Sequence, residues 1–174
     1  MDPLDGALAE AKAYLRLDGA EEDALLGTLI GAGAGICERF TGLALFAGER
    51  SAVLPAEPRR WQRLPDTPVR AIAGVSALDA AGAETALPIE AYAIDIDAGG
   101  DGWVRLTAPV AQSRLLVGYT AGLAADWASL PEALRQGIVR WIAHGFAHRD
   151  ASVDAGPPAA VMALWRPWRR MRLS

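Results

Sequence analysis

The chain has 174 residues, of which 52% are hydrophobic, a single cysteine and a formal net charge of −4 at pH 7. This length suffices for one domain, or for a core with a modest insertion, that needs no disulfide to fold. The charge excludes a general attraction to nucleic acid or anionic membranes, and the lone Cys37 excludes an internal disulfide, which favours a reducing cytoplasm.

The N-terminus lacks the basic start and continuous apolar stretch of a secretory signal. No window of the sequence holds the roughly 20 apolar residues that a membrane helix needs. We therefore expect synthesis in the cytoplasm and no membrane partner. Charge is spread unevenly along the chain, because the first 42 residues are acidic and the last ten are basic.

The acidic N-terminal region predicts two helices. The first, near residues 3–17, would be capped by Asp2 with Pro3 in its first turn. Its apolar face comprises Leu4, Leu8, Ala11 and Leu15. The second, near residues 20–41, opens on an acidic run that favours the positive end of the helix dipole, and Gly42 is placed to end it in the left-handed conformation. Its expected buried face comprises Leu25, Leu29, Ile36 and Phe40.

Helix two also contains several interior glycines. Gly27, Gly31 and Gly35 lie at four-residue spacing, and each costs about 1 kcal/mol in helix propensity relative to alanine. The spacing leaves one face without side-chain bulk, so that another backbone can approach it closely. That backbone could belong to the same subunit or to a neighbour, and we assign the three glycines to subunit packing as a prediction.

From Leu43 to Gly122 the pattern changes to short apolar runs broken by Pro, Gly and Asp, which predicts antiparallel strands and hairpins. The predicted strands are residues 51–54, 69–78, 84–89, 91–96, 103–106 and 114–119. Residues 79–82 and 98–102 contain residue types that tolerate positive φ and are predicted as turns. The fold class is therefore α+β, with a mainly helical core and an antiparallel β-rich insertion, about 43–122, between helices two and three.

A third helix is predicted near residues 130–149, where Ser129 and Glu132 have the spacing of a capping box. Its apolar stripe comprises Leu130, Leu134, Ile138, Trp141, Ile142 and Phe146. A linker, 150–157, leads to a short helix, 158–165, that ends before Pro167 because proline cannot continue it. We expect residues 1–149 to form a single domain and residues 158–174 to form a C-terminal docking tail.

The tail combines dense arginine with tryptophan. Both residue types are enriched in binding hot spots, which predicts docking to a protein partner. Two alternatives remain open: a basic tail that folds back over the acidic helices, and a nucleic-acid contact through phosphate neutralisation and base stacking. The predicted docking residues are Leu164, Trp165, Arg166, Trp168, Arg169, Arg170, Met171 and Arg172.

Two patterns resemble metal sites, and both are incomplete. His144 and His148 have a spacing that can place two imidazoles on one metal, but Gly145 replaces the acidic residue of the zinc-protease pattern. The segment from Asp95 begins like a calcium loop, but its twelfth position is Leu106 instead of a bidentate glutamate. We expect a surface histidine pair and a solvated hairpin turn, with no metal, no cofactor and no catalytic site.

Three blocks of the sequence stand out by their order and spacing. The first is residues 8–18 with the acidic-capped helix that ends at residues 38–42, Glu-Arg-Phe-Thr-Gly. The second is residues 117–122, Val-Gly-Tyr-Thr-Ala-Gly, followed by residues 130–135, and the third is residues 164–173. With the β-rich insertion between helices two and three, these blocks resemble the head-tail connector (adaptor) family of tailed bacteriophages and gene transfer agents, and their order and spacing make the match specific.

The resemblance implies a structural subunit, not an enzyme, that is made in the bacterial cytoplasm and assembled in the neck of a phage or phage-like particle. It implies a dodecameric ring under the portal protein, a channel through which DNA passes without specific binding, and a platform for the next, stopper-type neck protein. In the family the C-terminal segment grips the portal, in agreement with the tail prediction. The alternatives are a small nucleic-acid-binding protein that uses its Arg/Trp tail and a small hydrolase.

Overall fold

The computed structural model describes residues 2–148 and 156–170. These residues form two compact units. The helical unit runs up to Leu45 and from Ala124 onward, and the β unit is Phe46–Leu123. In the described ranges, no helix is both long enough and apolar enough to cross a membrane.

The helical unit is organised around one central helix. Its described elements are α1 (Ala7–Leu15), α2 (Asp23–Thr41), α3 (Glu132–Ala147), α4 (Ala159–Trp165) and a 3-10 turn at Arg166–Trp168. Helix α3 packs against the other three helices, and its buried residues are Leu134, Gly137, Ile138, Val139 and Ile142. The four predicted helices are confirmed, with α1 and α3 shorter than expected and with α2 and α4 ending where predicted.

The helix ends agree with the prediction at Gly42 and differ from it at Asp2 and Ser129. Gly42 ends α2 as predicted, with φ +74° and its N–H donating to the Glu38 carbonyl at 2.8 Å. Asp2 instead accepts the Leu4 N–H at 2.9 Å in a turn, and α1 starts only after Gly6 at φ +94°. The capping box is wrong, because Ser129 exchanges hydrogen bonds with Asp126 in the preceding turn, and α3 begins after Pro131 without a side-chain cap.

The predicted buried face of α2 is displaced from the observed one. The buried residues are Leu26, Ile30, Gly33, Ala34, Cys37 and Thr41, whereas Leu25, Leu29, Ile36 and Phe40 are only half-buried. The difference arises because small residues form much of the contact with α3. A Cβ added to Gly33 would lie 3.1 Å from the Trp141 ring and 3.2 Å from Ile138.

The β unit contains two antiparallel sheets. One has the strand order β1-β7-β3-β4 and the other β2-β6-β5. The strands are β1 (Gly48–Pro55), β2 (Gln62–Arg63), β3 (Val69–Leu78), β4 (Glu84–Ala86), β5 (Tyr92–Ile96), β6 (Gly102–Leu106) and β7 (Arg114–Ala121). Alternate residues of β6 and β7 are buried, as expected for strands with one face on a core.

The α+β class is confirmed, but the core is not mainly helical. The strands have a hydrophobic core of their own, to which Leu64, Val75, Val104, Leu115 and Val117 contribute. The β unit, Phe46–Leu123, is therefore a compact unit with its own core, and in sequence it lies between the two parts of the helical unit. The reason is the alternation along β6 and β7, which each carry a buried face, because packed sheets can bury such faces without helices.

Candidate assembly surfaces

The C-terminal segment is fixed to the helical unit by one buried tryptophan. Trp165, at the end of α4, is 0% exposed, and its indole Nε1–H donates to the Leu134 carbonyl at 3.2 Å. The ring lies directly over Gly137 of α3, where an added Cβ would be only 2.0 Å from the indole nitrogen. Gly137 is therefore the complement of Trp165, because any side chain at this position would occupy the space of the ring.

The contact continues along the end of α2. The Phe40 ring lies 5.9 Å from the Trp165 ring and 5.6 Å from the Arg169 guanidinium carbon, centroid distances typical of an aromatic pair and a cation–π contact. The Arg170 N–H donates to the Thr41 carbonyl at 2.8 Å. As far as Arg170, the tail thus lies against the helical unit, as in the folded-back alternative, instead of extending freely.

Because of this packing, the predicted docking residues differ in how exposed they are to a partner. Trp165 belongs to the core and cannot present its ring to a partner, and Leu164 is half-buried. Arg166 and Arg169 are exposed, whereas Trp168 and Arg170 are half-buried. We call Arg166, Trp168, Arg169 and Arg170 the tail patch. The remaining predicted docking residues, Met171 and Arg172, lie outside the described residues.

The predicted glycine face of α2 is open. A Cβ added at Gly27 or Gly31 would meet no described atom of another element within 4 Å, and one at Gly35 would approach only Arg39 of the same helix. Ala24, Thr28 and Ala32, on the adjoining positions, are also exposed. Within the described residues, no element of the subunit makes the close approach that these glycines permit. The internal close approach uses Gly33 instead.

A second cluster of arginine and tryptophan, not predicted from the sequence, lies in the β unit. We call Arg59, Arg60, Trp61 and Arg105 the arginine–tryptophan patch. Trp61 is 39% exposed, and the Arg105 guanidinium carbon lies 4.8 Å from its ring centroid. The sequence signal was Arg-Arg-Trp-Gln-Arg at residues 59–63, which has the composition of the tail.

The patch is held in place by backbone contacts. Arg59 adopts the left-handed conformation at φ +63°, and its N–H donates to the Leu106 carbonyl of β6 at 2.9 Å. Pro58 forms an isolated bridge with Leu106. Gln62 donates its side-chain amide to the Pro55 carbonyl at 2.8 Å. These bonds secure the loop to β6 and β1, so its arginines are presented from a fixed backbone.

The histidine pair and the calcium-like turn are engaged in local contacts. The rings of His144 and His148 lie 4.3 Å apart between centroids, and His148 Nδ1 lies 2.8 Å from the His144 carbonyl oxygen. Asp97 accepts the backbone N–H groups of Gly99 and Asp101 with Oδ1 and the Trp103 indole N–H with Oδ2. Among the described residues, no group of three or more His, Cys, Asp or Glu side chains could hold a metal ion.

Two titratable groups lie inside the cores. Burial raises the pKa of the Cys37 thiol to about 12, with a smaller contribution from the Glu38 charge. Burial also raises the pKa of Tyr119, whose hydroxyl donates to Asp66. Both groups are therefore neutral at physiological pH. Their surroundings disfavour the anion, so neither has the character of an activated nucleophile or base.

Comparison with known proteins finds consistent matches among solved structures. No family model and no curated protein matches the chain. A chain in the "neck of empty GTA particle computed with C6 symmetry" is similar with a TM-score of 0.79 and 27% identity, over 96% of this chain and 90% of that one. For the "neck of native GTA particle computed with C12 symmetry" the TM-score is 0.76 at 28% identity, with the same coverage.

A chain from the virion of a native gene transfer agent (GTA) particle matches over the same shares, with a TM-score of 0.74 and 28% identity. The similarity spans nearly the whole of this chain, so it includes both the helices and the strands. The resemblance to the head-tail connector family of tailed phages and gene transfer agents is therefore confirmed by structure: this chain has the fold of a chain found in gene transfer agent necks.

Proposed function

We propose that this protein is a non-enzymatic structural component of a particle neck, an adaptor that forms a ring under the portal protein and joins it to the next, stopper-type neck protein. The observation that supports this role is the match to gene transfer agent neck chains over 96% of this chain. The necks in those two structures were computed with C6 and C12 symmetry, which agrees with a dodecameric ring.

The tail patch is the proposed portal contact. Trp165 and Gly137 hold the segment against α3, and Arg166, Trp168 and Arg169 follow on the surface of the helical unit. A preformed patch loses less conformational entropy on binding than a free peptide would. Met171 and Arg172 would extend this contact, whereas Leu164 and Trp165 would hold the patch in position.

The open face of α2 is the proposed site of subunit packing. Gly27 and Gly31 are exposed and have no described neighbour from another element, so a helix of the next subunit could approach the α2 backbone directly. A ring requires such a heterologous contact, in which one surface meets a different surface of the neighbour. The gain in close packing would offset the helix propensity that the glycines cost.

DNA is proposed to pass the ring without specific binding. The N-terminal helices are acidic, and a negative wall repels the phosphate backbone instead of retaining it. The competing function, nucleic-acid binding through the Arg/Trp tail, requires the same arginines to face phosphate. Retention of the protein on DNA at moderate salt would favour that function.

The experiment compares two charge reversals on the helical unit. Arg169→Glu alters the tail patch, and Arg140→Glu is the matched control, because Arg140 is an exposed arginine of α3 outside the patch. Purified variants are titrated onto the portal protein of the same particle. We expect Arg169→Glu to weaken portal binding by about 30-fold or more, as for a hot-spot residue, and Arg140→Glu to bind like the wild type. Equal binding of both variants would exclude the tail patch as the contact.

A further inference from the structure

The arginine–tryptophan patch of the β unit has unsatisfied cationic groups. Glu57 pairs with Arg60 at 2.9 Å and Asp101 pairs with the neighbouring Arg63 at 2.8 Å. Arg59 and Arg105 have no carboxylate partner among the described residues, and the buried Nε of Arg105 lacks a described hydrogen-bond acceptor. The Arg105 guanidinium beside the part-exposed Trp61 indole, with the exposed Arg59 two residues before Trp61, thus forms a surface suited to an anionic partner.

The surroundings favour protein carboxylates over nucleic acid. Carboxylates are interspersed with the arginines of this region, because Glu57 pairs with Arg60 and Asp101 pairs with the neighbouring Arg63. They interrupt the continuous positive surface that the closely spaced phosphates of DNA require. Discrete carboxylates can instead be met one by one by planar guanidinium groups. Trp and Arg together are also the residues most enriched in the centres of protein interfaces.

The chain itself carries a complementary anionic segment. Asp18 and Glu21, in the turn between α1 and α2 of the helical unit, are exposed and have no ion-pair partner among the described residues. Head-to-tail association in a ring brings one surface of each subunit against a different surface of the next. A ring protein must therefore carry both halves of each contact, and a basic patch and an acidic turn satisfy this requirement electrostatically.

We propose that the arginine–tryptophan patch binds the acidic turn at residues 18–22 of a second copy of this chain, as a contact between neighbouring subunits. This inference rests on the proposed function, in which the chain forms a ring. It adds to that ring a second contact between neighbouring subunits. In this contact Arg59 and Arg105 pair with Asp18 and Glu21, and Trp61 provides apolar area beside the ion pairs.

The test uses full-length chains assembled on the portal protein, with two separate readouts. The amount of chain bound to the portal at saturation measures portal attachment. Native mass spectrometry counts the subunits in each assembly and so measures the yield of closed rings. The variants are Arg59→Glu/Arg105→Glu, Asp18→Arg/Glu21→Arg and the combination of both, and Arg140→Glu serves as the surface-charge control. Circular dichroism verifies that each variant is folded, which is expected because Arg59, Asp18 and Glu21 are exposed and Arg105 is half-buried.

We expect each double variant to lower the yield of closed rings by at least about tenfold, with portal attachment of single subunits retained, and the combined variant to restore ring closure. A wild-type ring yield in Arg59→Glu/Arg105→Glu would overturn the proposal. Loss of rings in both double variants without restoration in the combined variant would exclude the acidic turn as the occupant. If rings are unchanged and Arg59→Glu/Arg105→Glu loses retention on DNA, measured separately at moderate salt, the patch is assigned to nucleic acid and the proposal is overturned. Failure of the wild-type chain to attach to the portal would refute the proposed function itself.

Discussion

Replacement of Trp165 by alanine should destabilise the helical unit strongly. The indole is fully buried, and tryptophan buries roughly 150–250 Å², which at about 25 cal/mol per Å² corresponds to roughly 4–6 kcal/mol. The lost hydrogen bond to the Leu134 carbonyl contributes about 1 kcal/mol. Alanine retains part of the burial and the cavity relaxes in part, so we expect a loss of about 3–5 kcal/mol in the free energy of unfolding.

Urea unfolding followed by far-ultraviolet circular dichroism measures this loss. Trp168→Ala is the matched control, because Trp168 is half-buried in the same segment and should cost about 1 kcal/mol or less. Gly137→Ala provides a second route to the same contact, since its Cβ would be 2.0 Å from the indole nitrogen, and should destabilise despite the gain of about 1 kcal/mol in helix propensity. A change below about 1 kcal/mol for Trp165→Ala would refute the docked tail.

Three further outcomes follow from the packing. Gly31→Ala should stabilise the isolated chain by about 0.5–1 kcal/mol in urea unfolding, because the added methyl meets open space, and no gain would contradict an open face. Cys37 should resist alkylation at pH 8 until the chain unfolds, because burial raises its pKa to about 12, and rapid labelling of the native protein would contradict its burial. Tyr119 should resist ionisation in an alkaline absorbance titration, because burial raises its pKa. The stability that neutral Tyr119 contributes should persist below about pH 10, the unfolded pKa, and be lost as the pH rises further. Ionisation of Tyr119 at the ordinary tyrosine pKa would contradict its burial and its contact with Asp66.

Much of the secondary structure could be predicted because its signals are local. The bounds of β3 agree with the prediction at both ends, and Gly82 and Gly100 adopt positive φ in the two predicted turns. The hydrogen bond from the Ala83 N–H to Asp79 is also typical of such a turn. These features depend on residue types within a few positions, which the sequence displays directly.

The packing could not be predicted in the same way. The burial of Trp165 depends on Gly137, which lies far from it in sequence, and a tryptophan beside arginines resembles an exposed docking residue as much as a core residue. On α2, Gly33 and Thr41 are buried, although neither has a large apolar side chain to indicate it. Contacts of this kind depend on the neighbouring helix, so they cannot be predicted from the periodicity of one helix alone.

The central claim, that this chain is a neck component that forms a ring at the portal, is tested most directly by electron microscopy of particles from producing cells. A map of the neck should contain this chain as a ring between the portal and the next neck protein, with the tail patch facing the portal. A complete neck map in which no density fits the chain, or in which the chain lies away from the portal, would contradict the account.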